Sequence, residues 1–262
     1  MTVDDIPIKD IQIPRRSPRG LFAPGFFLTV EGMDGAGKSS IVEKLVGRLM
    51  RWGIPVSVYR EPGGTSGGEA MREVFKDASH NLDPNTQGLL MFASREQLIR
   101  EEILPALNRG EVVICDRYID SSYAMQYWAG KMETSLFQTL AERAFELATP
   151  DLTLYLDVPV EVSRARQQER GLDVSKDAYE SQGDDYHQAI RDAYRLLEPH
   201  HGRQRVTTID ATQEMDAVFD DAWQLVKRRV LKPRLGNVLD KSWWYHHTFY
   251  LVNQDYTNRF GY

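Results

Sequence analysis

Cysteine is almost missing: Cys115 is the only one in 262 residues. That excludes an intrachain disulfide and any metal centre built on several thiolates. Long apolar runs are missing too; no stretch approaches the roughly 18 residues that a membrane helix needs. With 42% hydrophobic residues nonetheless present, the chain reads as a soluble globular protein able to bury one large core. Positive charge is not in excess. The formal net charge of −6 argues against general binding to a nucleic-acid backbone, which calls for a basic surface. No period of roughly 20–50 residues repeats, so a solenoid is excluded. The N-terminal stretch has no apolar signal-peptide core, and a cytoplasmic location is the expectation.

What the chain does contain is alternation. Apolar runs at 26–30, 55–59, 112–116, 152–157 and 206–210 read as buried strands. Helical patterns cover about 40–52, 69–76, 84–108, 121–128, 133–148, 160–170, a segment reaching 198, and 214–230. This predicts an α/β fold with a five-stranded parallel sheet covered by helices on both faces. In such sheets ligands bind beyond the carboxyl ends of the strands. Residues 1–25, with Pro7, Pro14, Pro18 and Pro24 and the basic Arg15, Arg16 and Arg19, read as an irregular N-terminal extension. Residues 26–231 form the folded domain. The final 232–262 are a C-terminal extension crowded with aromatics such as Trp243, Trp244 and Tyr245, expected to pack on its own domain or on a second subunit.

The stretch Gly32-Met33-Asp34-Gly35-Ala36-Gly37-Lys38-Ser39 has the spacing of a phosphate-binding loop, and it lies between a strand and a helix as that mechanism requires. Glycines let backbone N–H groups turn onto phosphate oxygens at a helix N-terminus. Asp34, Gly35, Ala36, Gly37, Lys38, Ser39 and Ser40 are therefore the candidate ATP-binding residues. Lys38 would reach the β- and γ-phosphates and Ser39 would ligate magnesium. The competing reading is a glycine-rich turn without ligand.

Three further segments fall at strand ends and should line the same cleft. The strings Arg60-Glu61-Pro62-Gly63-Gly64-Thr65 and Asp116-Arg117-Tyr118, together with 150–157, 208–213 and the loop itself, occur in the order found in one family. Over about residues 26–230 the chain resembles thymidylate kinase. The resemblance implies a three-layer nucleoside-monophosphate-kinase fold with a short lid at about 164–182, a homodimer, and magnesium-dependent transfer from ATP to a deoxypyrimidine monophosphate. It gives Arg117 the acceptor phosphate and Asp116 a place near magnesium, reached through water. Asp34 would meet the acceptor sugar, and Arg60 and Glu61 would frame its phosphate. Arg95 would bond the base, with Ser121, Ser122 and Gln126 nearby. Gly35 stands where some members of the family carry a loop arginine, so Arg166 and Arg170, one turn apart, would serve as lid arginines. A surface ion pair at 116–117 and a solvated basic face at 166–170 are the plain alternatives.

The sequence departs from the family in three places. The lid has Asp177-Ala178-Tyr179-Glu180, with Lys176 beside it, where relatives carry a further arginine. Met91 stands where relatives stack a phenylalanine on the base, with Phe92 next to it, and Met125 stands where an aromatic is usual. Either Met91 contacts the ring or Phe92 turns in. These changes keep two alternatives to dTMP phosphorylation in view: a kinase for another 5-substituted deoxyuridylate such as hydroxymethyl-dUMP, and a nucleotide-binding regulator without turnover.

Overall fold

The structure, a computed structural model, describes residues 25–171 and 182–231. Strands β1 (Phe26–Glu31), β2 (Val56–Arg60), β3 (Val112–Asp116), β4 (Leu152–Asp157) and β5 (Val206–Asp210) form one sheet in the order β2-β3-β1-β4-β5. Every pairing is parallel. β1, β3 and β4 are buried along nearly their whole length, as strands covered on both faces must be, and this explains why each reads as a continuous apolar run. Cys115 packs within β3 and is fully buried.

The helices are α1 (Lys38–Arg51), α2 (Ser66–Lys76), α3 (Pro84–Leu98), α4 (Leu104–Asn108), α5 (Ile119–Ser122), α6 (Thr134–Leu147), α7 (Val160–Glu169), α8 (Asp184–His201) and α9 (Met215–Val226). From β1 the chain travels through α1 to the edge strand β2, then turns back through β3 and on to β4 and β5. Right-handed crossovers place α1 on one face and the helices of the returning connections on the other; α9 packs against α1. The reversal lies between β1 and β3, which is where an open parallel sheet forms its ligand crevice. Val30 and Arg60 both align with Asp116, so the loops leaving β1, β2 and β3 start at one level.

The elements differ from the sequence reading at three points. Helix α2 begins at Ser66, capped by Thr65, whose Oγ1 accepts the Gly68 N–H. Gly67 and Gly68 hide this start, yet a Cβ on Gly68 would lie 3.0 Å from both Gly63 O and Ser94 Oγ; the glycine permits close packing. The pattern at 84–108 is broken by a π-helical turn at Ile99–Ile103, because Pro105 has no N–H to continue the ladder. The segment after α5 likewise widens into π-helix at Tyr123–Ala129. The N-terminal extension, the lid residues Lys176, Asp177, Ala178, Tyr179 and Glu180, and the aromatic C-terminal extension lie outside the described residues.

Candidate active site

The loop after β1 adopts backbone conformations that its glycines permit. Gly35 and Gly37 have φ of 81° and 93°, and a Cβ on Gly35 would sit 2.6 Å from Ser163 O. Helix α1 then starts at Lys38 with no side chain capping it, which leaves its first-turn N–H groups for an anion. The loop is held from α7, a connection that no motif announces. Ser163 Oγ and Gln167 Nε2 donate to Asp34 O at 2.6 and 3.3 Å. Arg166 Nη1 donates to Ala211 O at 3.0 Å and, at a longer 3.4 Å, to Gly35 O.

Lys38, Asp34 and Arg117 form a chain of charges across the crevice. Lys38 Nζ donates to Met33 O at 3.1 Å and to Asp34 Oδ1 at 3.2 Å, and Arg117 Nη2 donates to the same Oδ1 at 2.5 Å. Desolvation pushes the Asp34 carboxyl up, but Lys38 and Arg117 outweigh it and hold the group well below the usual carboxylate range. Burial likewise works against the Arg117 charge, and Asp34 more than restores it. The sequence offered the acceptor sugar as the partner of Asp34. The structure pairs it with two cations, which explains how a carboxylate can lie inside a phosphate loop.

Ser39 Oγ donates to Asp116 Oδ2 at 3.2 Å, so the two expected metal-side residues meet, one from α1 and one from the end of β3. A hydroxyl and one carboxylate beside a phosphate loop suit magnesium, which takes a few protein oxygens and completes its shell from phosphates and water. Among the described residues no group of three or more His, Cys, Asp or Glu could hold a metal unaided. Ala36 is buried, Ser40 lies on the first turn of α1, and Arg170 is exposed at the end of α7.

On the acceptor side two arrangements differ from the simplest expectation. Arg60 and Glu61 do not frame one point: Arg60 pairs with Glu69 of α2 at 3.2 Å, whereas Glu61 turns inward. It accepts from Arg95 in a fully buried ion pair, with Nε to Oε2 at 2.8 Å. Glu61 therefore acts as the support of Arg95, because a buried guanidinium requires a counter-charge. Arg95 Nη2 also donates to Tyr118 O and Ser122 Oγ, leaving Nη1 as a buried donor without a partner among the described residues. The other point concerns Phe92, which with Met91 was one of two alternatives beside the base. It packs in the core against Phe137, centroids 6.1 Å apart, with the Arg95 guanidinium 4.7 Å from its own ring. Met91 instead joins Phe75, Met125 and Tyr186 in a small apolar group apart from the main core. Phe92 thus lies on the Phe137 side of α3, and Met91 on the side of Phe75, Met125 and Tyr186.

Around Arg117 the structure adds residues that the sequence did not single out. Tyr186 OH donates to Met125 O at 3.2 Å, and Arg117 Nη1 lies 3.8 Å from Met125 Sδ. Ser121 Oγ donates to Glu31 Oε2 at 2.6 Å, and Gln126 is buried. Burial, with the Asp120 charge adding to it, pushes the Glu31 carboxyl up to about 7. Tyr186 and Tyr194 stand two helical turns apart on α8; that spacing was the one available signal, and it is indistinguishable from ordinary core patterning.

Comparison with known proteins points to one family. The thymidylate kinase family model matches residues 30–222. A thymidylate kinase from Caulobacter vibrioides is 42% identical over 210 residues, 79% of this chain and 98% of that protein. One from a Bradyrhizobium strain is 39% identical over 207 residues, covering 79% and 91%. One from Lacticaseibacillus casei is 38% identical over 217 residues, covering 81% and 99%.

Proposed function

The chain belongs to the thymidylate kinase family, and from that premise we propose that it transfers the γ-phosphoryl group of ATP to the 5′-phosphate of dTMP, giving dTDP and ADP. It is a phosphotransferase. The observation that carries the proposal is the line of charge Lys38–Asp34–Arg117 across the β1/β3 crevice, because it sets a donor-phosphate cation and an acceptor-phosphate cation on either side of one carboxylate. Phosphoryl transfer asks a protein mainly to position two anions and to stabilise the charge that moves between them.

In this reading the N-terminus of α1 and Lys38 hold the donor phosphates, and Ser39 and Asp116 hold magnesium, the second through water. When bound, magnesium would neutralise charge on the β- and γ-phosphate oxygens. Arg117 grips the acceptor phosphate with its fork, and Asp34 exchanges part of its cation pairing for the sugar hydroxyl. The spare Nη1 donor of Arg95 is available for a base carbonyl, with Met91 and Met125 as the apolar wall. Arg166 and Arg170 supply the positive charge that Gly35 omits. A cytoplasmic setting, where magnesium-ATP is supplied, goes with this function. No helix among the described residues is long and apolar enough to cross a membrane.

ADP formation from magnesium-ATP with dTMP, dUMP, hydroxymethyl-dUMP, dCMP, dGMP and UMP tests the reading. dTMP should be the best acceptor; turnover of none would sink the kinase assignment, and a strong preference for a substituted deoxyuridylate would replace the acceptor.

We also propose a homodimer through α3 and α6. Between them lies an apolar cleft of about 210 Å³ lined by Leu89, Phe92, Leu140 and Leu147, with Glu96 and Arg143 at its rim. Leu89 is 47% exposed. A carboxylate at that position would have to be desolvated in the dimer, so Leu89→Glu should convert a dimer into a monomer in sedimentation velocity at micromolar concentration. An unchanged sedimentation coefficient would place the contact elsewhere.

A further inference from the structure

We infer that Tyr194 is a positioning residue for Arg117: with Glu31 and Ser121 it forms a buried triangle of oxygens that fixes the guanidinium where the acceptor phosphate must arrive. This rests on the kinase reading and adds to it a residue outside every motif.

Arg117 needs such support. Its φ is 69°, in the left-handed region that non-glycine residues seldom occupy, so its backbone is held there by its surroundings. Arg117 N–H donates to Val30 O at 3.0 Å, and on one side Nη2 meets Asp34. The other side of the fork, Nη1, donates to Ser121 Oγ at 3.2 Å and to Tyr194 OH at 3.4 Å. Those two hydroxyls are 2.8 Å apart, and both lie within hydrogen-bond distance of Glu31 Oε2, at 2.6 Å from Ser121 and 3.0 Å from Tyr194. Glu31 Oε1 accepts the Tyr118 N–H at 2.7 Å.

Counting protons shows how the triangle closes. Three oxygen–oxygen contacts need three hydrogens, and two hydroxyls supply two. A protonated Glu31 supplies the third, in keeping with a carboxyl that burial has pushed up to about 7. Each hydroxyl then has a lone pair left for Arg117. Tyr194 itself cannot drift. It is fully buried, and its ring stacks on Tyr155 at 4.9 Å and 15°. Helix α8 is pinned beside it by two bonds from Arg191 to Asp157, at 2.8 and 3.1 Å. The oxygen of Tyr194 is thus a fixed point against which a strained arginine is set.

Tyr194→Phe keeps the ring stack and removes only that oxygen. In the full chain the KM for dTMP should rise about tenfold, as the loss of one hydrogen bond to a charged group implies, with the dissociation constant for ATP and the melting temperature nearly unchanged. A structural role alone would not produce that split. In an Arg117→Ala background the same change should alter kcat/KM for dTMP less than twofold, since the group it positions is gone. Ser121→Ala, which removes the other hydroxyl that Nη1 and Tyr194 OH meet, should show the same split and serves if Tyr194→Phe folds poorly. An unchanged acceptor KM, or an equal loss with and without Arg117, would overturn the inference while leaving the kinase reading intact. Absence of dTMP turnover by the wild-type chain would overturn both.

Discussion

Arg117→Ala is expected to lower kcat/KM for dTMP about 10³-fold, roughly 4 kcal/mol of transition-state stabilisation, while the affinity for ATP changes by no more than about threefold. Three physical losses add at that site. The fork that would bind the acceptor phosphate disappears. Asp34 loses its 2.5 Å partner, so a carboxylate now faces an incoming phosphate with only Lys38 to neutralise it. The left-handed backbone at position 117 also loses the side-chain contacts that hold it. The donor site keeps its glycine loop, the start of α1 and the Ser39–Asp116 contact, which is why ATP binding should survive. Isothermal titration with ATP and steady-state kinetics with dTMP separate the two; equal loss in both would mean that the acceptor side has been misplaced.

Arg166→Ala should reduce kcat by about 10³-fold or more, the order of effect known for arginines that meet a transferring phosphoryl group, with a small change in the KM for dTMP. Its guanidinium already sits at the loop, bonded to Ala211 O and close to Gly35 O. It can therefore reach the donor phosphates without a large rearrangement of α7. Restoring the charge from inside the loop should fail. At Gly35 the backbone has a φ of 81°, and any Cβ would collide with Ser163 O, so Gly35→Arg combined with Arg166→Ala is expected to remain inactive. Single-turnover measurement of dTDP formation checks both variants. A kcat within tenfold of wild type for Arg166→Ala would remove this arginine from the transition state.

These expectations draw on parts of the molecule that were unequally readable beforehand. The strands Val112–Asp116, Leu152–Asp157 and Val206–Asp210 end where their apolar runs end, because burial on both faces leaves the composition little freedom. Residues 32–39 declared themselves because phosphate binding fixes glycines, lysine and hydroxyl at set intervals along a continuous stretch. Contacts between distant segments left no such mark. Asp34 meets Arg117, and Tyr194 meets Glu31, across 83 and 163 residues, and nothing local in either sequence encodes the pairing. The choice between Met91 and Phe92 likewise depended on which side of α3 faces Phe137, which adjacent residues on a mostly buried helix cannot reveal. The pairing of Glu61 with Arg95 was hidden for a related reason. A carboxylate near a phosphate site looks functional in sequence, while its buried pairing with Arg95 is visible only in three dimensions.

The most direct test of the central claim is the fate of the γ-phosphoryl group. With γ-labelled ATP, magnesium and dTMP, the wild-type chain should place the label on dTDP in a one-to-one ratio with ADP formed. Label released as inorganic phosphate, or retained in ATP whether or not dTMP is present, would contradict the account.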